Sequence, residues 1–114
     1  MKILNSFGYA FNGLRTTWRE EFNFRIEIFI AFIVTFFIIY FDFSFIESAI
    51  CIIAIVIVLT AEIVNTAIED LSDMVESNQN PLIGKIKDTM AGFVLLSSVG
   101  AFILGCLVFW NHFF

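Results

Sequence analysis

Three stretches that contain no Asp, Glu, Lys or Arg dominate this chain, at residues 28–41, 48–61 and 89–114. A continuous apolar run cannot be half-buried in water, and three such runs in 114 residues leave little chain for anything else. Hydrophobic types make up 60% of the sequence and charged types 15%, with a mean hydropathy of +0.93. A soluble domain carries roughly 25% charged residues, so both a water-soluble globule and a disordered chain are excluded. The expected fold is all-α and integral to a membrane, with three transmembrane helices behind an N-terminal amphipathic surface helix. The expected organisation is a single domain over 1–114, with a surface helix at about 2–22 and spans at about 24–42, 45–75 and 84–112.

The surface helix is read from periodicity. Leu4, Phe7, Phe11, Leu14, Trp18 and Phe22 are spaced 3, 4, 3, 4 and 4 apart and form one apolar stripe. Such a helix suits the lipid boundary, and it equally suits packing on its own chain; the two are compatible. The segment MKILNSFGYAFNGLRTTW has neither an unbroken apolar core nor a small-residue cleavage site, so a cleaved signal peptide is not expected.

The first two charge-free runs are only 14 residues long, short of the ~20 that a bilayer requires. Each must therefore extend into its polar flanks and carry charge to membrane depth. Asp42 and Glu47 bracket the turn between the first two spans, and residues 77–84, SNQNPLIG, are expected to form the next loop. Lys2, Arg15, Arg19 and Arg25 precede the first span, and Lys85 and Lys87 lie between the second and third. The excess of cations on that side predicts a cytoplasmic N-terminus. Ser97, Ala101 and Gly105 give the third span a small-residue face suited to close helix packing.

Charge and composition exclude other classes. Six Lys and Arg against eleven Asp and Glu give a net charge of −5, which is wrong for a nucleic-acid partner. Cys51 and Cys106 lie inside apolar runs and read as buried free thiols, and the one histidine, His112, is too little for a zinc site or a Ser-His-Asp triad. Gly8 and Gly13 have the spacing of a phosphate-binding Walker loop, but Leu14 stands at the lysine position and no strand precedes it.

The informative segment is AEIVNTAIEDLSDMVE, residues 61–76. Glu62, Asn65, Glu69 and Asp73 are spaced 3, 4 and 4 apart and share one helix face. An acidic residue at a span's centre costs about 2.5–3.5 kcal/mol, while each Leu, Ile or Val contributes about 0.3–0.6 in favour of insertion. Eight such residues at 50–59 offset it by roughly 2.4–4.8 kcal/mol, so the span inserts with little to spare. If the helix begins near Phe45, Glu62 lies ~25 Å along it, just inside the edge of a ~30 Å core. Glu69 lies ~10 Å further out, among headgroups and water. Glu62 is then the better proton acceptor and Glu69 the lasting anion. The bland alternative is that Glu62 and Asn65 bond helices together.

Glu20 and Glu21 end the surface helix, and Lys87 and Asp88 begin the third span on the same side. Carboxylates from two helices can hold Mg²⁺, and a lysine can neutralise a polyphosphate. Base, metal carboxylates and lysine are the parts that phosphoryl transfer to an alcohol requires. Two rivals differ in class: a small proton- or ion-coupled transporter with Glu62 as its intramembrane site, and a non-catalytic assembly subunit in which Asn65 is glue.

The segments GYAFNGLRTTWREEFNFR, EIVNTAIEDLSD and KDTMAGFVLL resemble, in order and spacing, the prokaryotic diacylglycerol kinase and undecaprenol kinase family of small membrane enzymes. That resemblance implies a homotrimer in the bacterial inner membrane, phosphorylating a lipid hydroxyl with MgATP at active sites shared between subunits. It implies Glu62 as the catalytic base, and Glu21 and Glu69 as holders of the metal that carries ATP. Asn65, Lys87 and Asp88 would line the nucleotide site, with Tyr9 joining from the surface helix. Arg15, Trp18, Arg25 and Glu27 match positions near the lipid headgroup, where Glu62 would meet the hydroxyl. The acceptor stays open. Glu27 stands where the undecaprenol branch usually has histidine, and GLRTTW and the WNHFF ending lean the same way, toward diacylglycerol. NTAIE and MAGFVLL look more like the undecaprenol branch.

Overall fold

A computed structural model describes residues 2–75 and 80–114. Four helices follow one another, α1 (Lys2–Glu20), α2 (Phe22–Tyr40), α3 (Phe45–Val75) and α4 (Pro81–Phe113), and among the described residues there is no strand. Three of them, α2, α3 and α4, are long and apolar enough to cross a membrane. The all-α membrane fold expected from the charge-free runs is what the chain forms.

The helices are apolar almost all round because their solvent is lipid, which removes the need for one buried face. Phe24 is the buried residue of α2 and Val108 that of α4. The small core of Phe43, Cys51 and Val108 lies at the end of the bundle far from α1, with Phe37 and Phe109 packed on it. At 31 residues, α3 is about 45 Å long, so it overshoots a ~30 Å core by several turns. That overshoot carries the acidic face.

Local chemistry sets each boundary. The chain leaves α2 through a Schellman turn: Phe43 N–H donates to the Ile38 carbonyl at 3.1 Å, and Asp42 takes the left-handed conformation at φ 54. Asp tolerates this region better than most non-glycine residues. Then α3 opens with a capping box, in which Glu47 N–H donates to Ser44 Oγ at 3.1 Å and Ser44 N–H donates to Glu47 Oε1 at 2.9 Å. The same carboxylate receives Asn111 Nδ2 at 3.2 Å and lies 3.0 Å from His112 Nδ1, tying the end of α4 to the start of α3.

Three expectations need correction. The loop expected over 77–84 is shorter at its second half: Asn80 caps α4 by accepting from Leu82 N–H at 2.9 Å, and Pro81 through Gly84 are helical, with proline at a position where its missing N–H costs nothing. Residues 77–79 lie outside the described residues. Within one chain the small-residue face of α4 does not make a close helix contact at Gly105, since a side chain built there meets nothing within 4 Å; Ala101 and Gly105 instead line an open groove. Cys51 is buried as expected, but Cys106 is exposed on α4, and both are free thiols.

The apolar stripe of α1 is not packed on its own chain. Phe7 and Phe11 are exposed, Thr17 is the buried residue of the helix, and the Thr17 hydroxyl donates to the Gly13 carbonyl at 3.0 Å. Glu21, extended at φ −114 and ψ 106, breaks the helical path between α1 and α2.

Candidate active site

The acidic face of α3 meets the α1–α2 junction, and the carboxylates sort by depth. Glu62 is 1% exposed, flanked on its helix by buried Ala61 and Thr66. Glu27 faces it from α2. Glu62 Oε1 and Glu27 Oε2 are both buried without a hydrogen-bond partner. Such groups are rare in folded proteins, because an unpaired buried polar atom loses its hydration without compensation. Glu62 is thus enclosed at the α2–α3 interface, where the two carboxyls reach each other and only a proton on one of them can bond the pair.

One turn outward, Glu21 reaches toward Glu69 and Thr66 of α3. Burial, a hydrogen bond with Glu69, and the charges of Glu69 and Glu62 push the Glu21 carboxyl up to about 7, while the Thr66 side chain pulls the other way. Asn65 Nδ2 donates to Glu69 Oε1 at 3.2 Å, which orients the half-buried Glu69 carboxylate. Further out, desolvation and neighbouring Asp70 raise the Glu20 carboxyl. Lys87 Nζ lies 2.7 Å from Asp73 Oδ1, bringing α4 to the outer end of the stripe.

The stripe read from spacing therefore exists as a graded series from Glu62, fully enclosed, through half-buried Glu69 to exposed Asp73. Glu21, Glu27, Asn65 and Lys87 come together around it. Other candidates do not: Tyr9, Arg15, Trp18 and Asp88 are exposed, and among the described residues no hydrogen bond or ion pair links them to the carboxylates. Arg25 places its guanidinium 5.5 Å from the centre of the Phe22 ring instead. Thr66 was not singled out by sequence reading, although its position four residues after Glu62 puts it on the same face.

Among the described residues no group of three or more His, Cys, Asp and Glu side chains is arranged as a metal site. Magnesium asks for less, since it commonly takes one or two protein carboxylates and completes its shell with phosphate oxygens and water. Two adjacent carboxyls, one of them holding its proton up to about 7 because of the other acids, suit that donor set.

Fold and site together define a small all-α membrane protein with a buried acid and a carboxylate pair at one edge of its spans. The profile of the prokaryotic diacylglycerol kinase family matches residues 8–109, and the chain belongs to that family. It is 31% identical over 112 residues to a diacylglycerol kinase of Escherichia coli, covering 98% of this chain and 92% of that protein. It is 32% identical over 108 residues to an undecaprenol kinase of Bacillus subtilis, covering 95% and 88%. A diacylglycerol kinase of Haemophilus influenzae is 29% identical over 109 residues, covering 94% and 92%. The chain is thereby a bacterial membrane protein of the lipid kinase class, and the transporter reading finds no support.

Proposed function

We propose that this protein transfers the γ-phosphoryl group of ATP to the hydroxyl of a membrane lipid, diacylglycerol or undecaprenol, at the cytoplasmic edge of the bilayer. The observation that carries this reading is the enclosed Glu62, with an unpartnered oxygen, beside the Glu21–Glu69 pair. Glu62 accepts the hydroxyl proton as the lipid oxygen bonds to the γ-phosphorus and the bond to the β-phosphate oxygen breaks, releasing ADP. Glu27, against Glu62, binds the lipid headgroup, and Arg15, Trp18 and Arg25, at the surface helix and the start of α2, meet the lipid from the membrane surface. Glu21 and Glu69 would hold Mg²⁺, which would supply positive charge to the phosphates. Asn65 orients Glu69, and Lys87 leaves Asp73 to meet the phosphates.

Tyr9 and Asp88, which make no hydrogen bond or ion pair with the carboxylates within one chain, join the nucleotide site in a homotrimer whose subunits share active sites. The exposed apolar surface of α2 and α4 is compatible with both lipid and neighbouring subunits. Lys2, Arg15, Arg19, Arg25, Lys85 and Lys87 favour a cytoplasmic N-terminus. The test is incubation of the purified protein with γ-labelled ATP, Mg²⁺, diacylglycerol and undecaprenol. Label in a lipid phosphate is expected; none in either lipid contradicts the reading.

A further inference from the structure

Thr66 is 5% exposed and stands on the acidic face of α3 between Glu62 and Glu69, yet the reaction proposed above gives it no part. Its hydroxyl donates to the Glu62 carbonyl at 2.9 Å. The helix does not need that bond, because in α3 the same carbonyl accepts the Thr66 N–H in the ordinary i to i−4 pattern. Exposed Thr60 and Thr89 bond back to their own helices in the same way, so this bond alone marks nothing. What sets Thr66 apart is its second neighbour: its side chain also hydrogen-bonds the Glu21 carboxyl, which comes from the α1–α2 junction. The backbone of Glu21 is already fixed, since its N–H donates to the Thr17 carbonyl at 2.9 Å and its carbonyl accepts from Arg25 N–H at 3.4 Å. Its side chain retains several rotatable bonds, so contacts at its end decide where the carboxyl points. Those contacts are Glu69, an acid that repels it when both are ionised, and Thr66, a neutral donor that does not.

We propose that Thr66 is a positioning residue for the carboxylate pair, its hydroxyl holding the Glu21 carboxylate beside Glu69 in the geometry that takes a divalent cation. The inference rests on the reading of Glu21 and Glu69 as metal holders and deepens it. A hydroxyl has one proton and rotates about its C–O bond, so it turns from the Glu62 carbonyl to a Glu21 oxygen without moving the helix. The carbonyl it leaves keeps the Thr66 N–H, and no buried group is left unpaired. Asn65 serves Glu69 in the same manner, donating Nδ2 to Oε1 at 3.2 Å. Each acid of the pair thus has its own neutral donor, on adjacent residues of α3. A neutral donor orients a carboxylate without adding the positive charge that would repel a cation.

The test compares full-length wild type with Thr66→Val, which keeps the branched shape and loses the hydroxyl, and with Thr66→Ser, which keeps the hydroxyl. Mn²⁺ is the probe: at fixed ADP, with no turnover, the free ion is counted by electron paramagnetic resonance against a protein-free ADP reference. Thr66→Val should bind Mn²⁺ about 10–100-fold more weakly than wild type, the usual loss when a partner that orients a metal ligand is removed. Thr66→Ser should bind within about threefold of wild type. In turnover, the Mg²⁺ concentration for half-maximal rate should rise in Thr66→Val by the same factor, while kcat at saturating Mg²⁺ stays within about threefold. Thr66→Ala repeats both measurements, with the same expectation, should the valine variant fold poorly. A folded variant without the hydroxyl that binds Mn²⁺ as tightly as wild type overturns the proposal. So does Thr66→Ser as weak as Thr66→Val, because the hydroxyl is then not the group that matters. Glu69→Gln separates the two claims. If it weakens Mn²⁺ binding and Thr66→Val does not, the role of Thr66 alone falls. If it binds like wild type, or wild type adds nothing to ADP alone, the metal-holding pair fails and this proposal with it.

Discussion

Glu62 of α3 and Glu27 of α2 face each other across the helix interface, and each keeps one buried carboxyl oxygen without a hydrogen-bond partner. Two acids brought together in a protein that must insert into lipid do not serve stability, because burying unpaired carboxyls is costly. Glu62→Gln should therefore leave the helical fold intact and raise, or at least not lower, the thermal midpoint in detergent. It should keep MgATP affinity within about threefold, because the amide removes the proposed base without touching the carboxylate pair. Calorimetric titration with MgATP and a melting curve check both.

Glu21 gives a pH dependence with a defined sign. Its carboxyl is raised from an ordinary 4.5 to about 7 in the folded chain, so the folded state binds the extra proton between those values. Stability without divalent cations should consequently fall as pH rises from about 5 to 8. Added Mg²⁺ should restore stability at the upper end by replacing that proton. Glu21→Gln should flatten the slope. Melting temperatures across pH, with and without Mg²⁺, measure this.

Glu69→Gln should raise the KM for MgATP by about tenfold or more, since it removes one of two proposed metal ligands and alters the group that Asn65 orients. It should also shift Glu21 back toward the ordinary carboxylate range, because a charged neighbour has been neutralised. The Mg²⁺ dependence of turnover at two pH values separates the effects.

Lys87 holds Asp73 at 2.7 Å with both side chains substantially exposed, an arrangement that contributes little to folding. Lys87→Met should leave the melting temperature nearly unchanged while weakening ATP by about tenfold, and high salt should narrow the gap to wild type. Equilibrium nucleotide binding at low and high ionic strength is the check.

At the far end, Ser44→Ala removes the side-chain half of a helix cap and should cost about 1 kcal/mol of stability. Kinetic constants should stay within about twofold of wild type, because α3 carries Glu62 eighteen residues away. Unfolding in denaturing detergent and steady-state kinetics on the same preparation test it.

Much of this was legible in the sequence because lipid imposes strict rules on a chain. Charge-free runs marked the spans, and 3-4-4 spacing placed Glu62, Asn65, Glu69 and Asp73 on one face. The capping box at Ser44 and Glu47 was also written there, but the two acids around the turn read as mere brackets. The Asn80–Pro81 helix start lies inside a polar stretch that reads as loop, although asparagine followed by proline is a helix-opening signal. What periodicity within one helix cannot encode is register between helices. The approach of Glu27 to Glu62, the Lys87–Asp73 pair and the open slot beside Gly105 all depend on how α2 and α4 slide along α3. Tyr9 and Asp88 show the converse case, positions matched by resemblance that one chain alone does not bring to the carboxylates.

The proposed role of Glu62 as proton acceptor is tested most directly by following label from γ-labelled ATP into lipid with Glu62→Gln protein beside wild type, both at saturating MgATP. Loss of a positioned base should lower turnover about 10²–10⁴-fold while nucleotide binding persists. Turnover near the wild-type rate in folded, nucleotide-binding Glu62→Gln protein would contradict it.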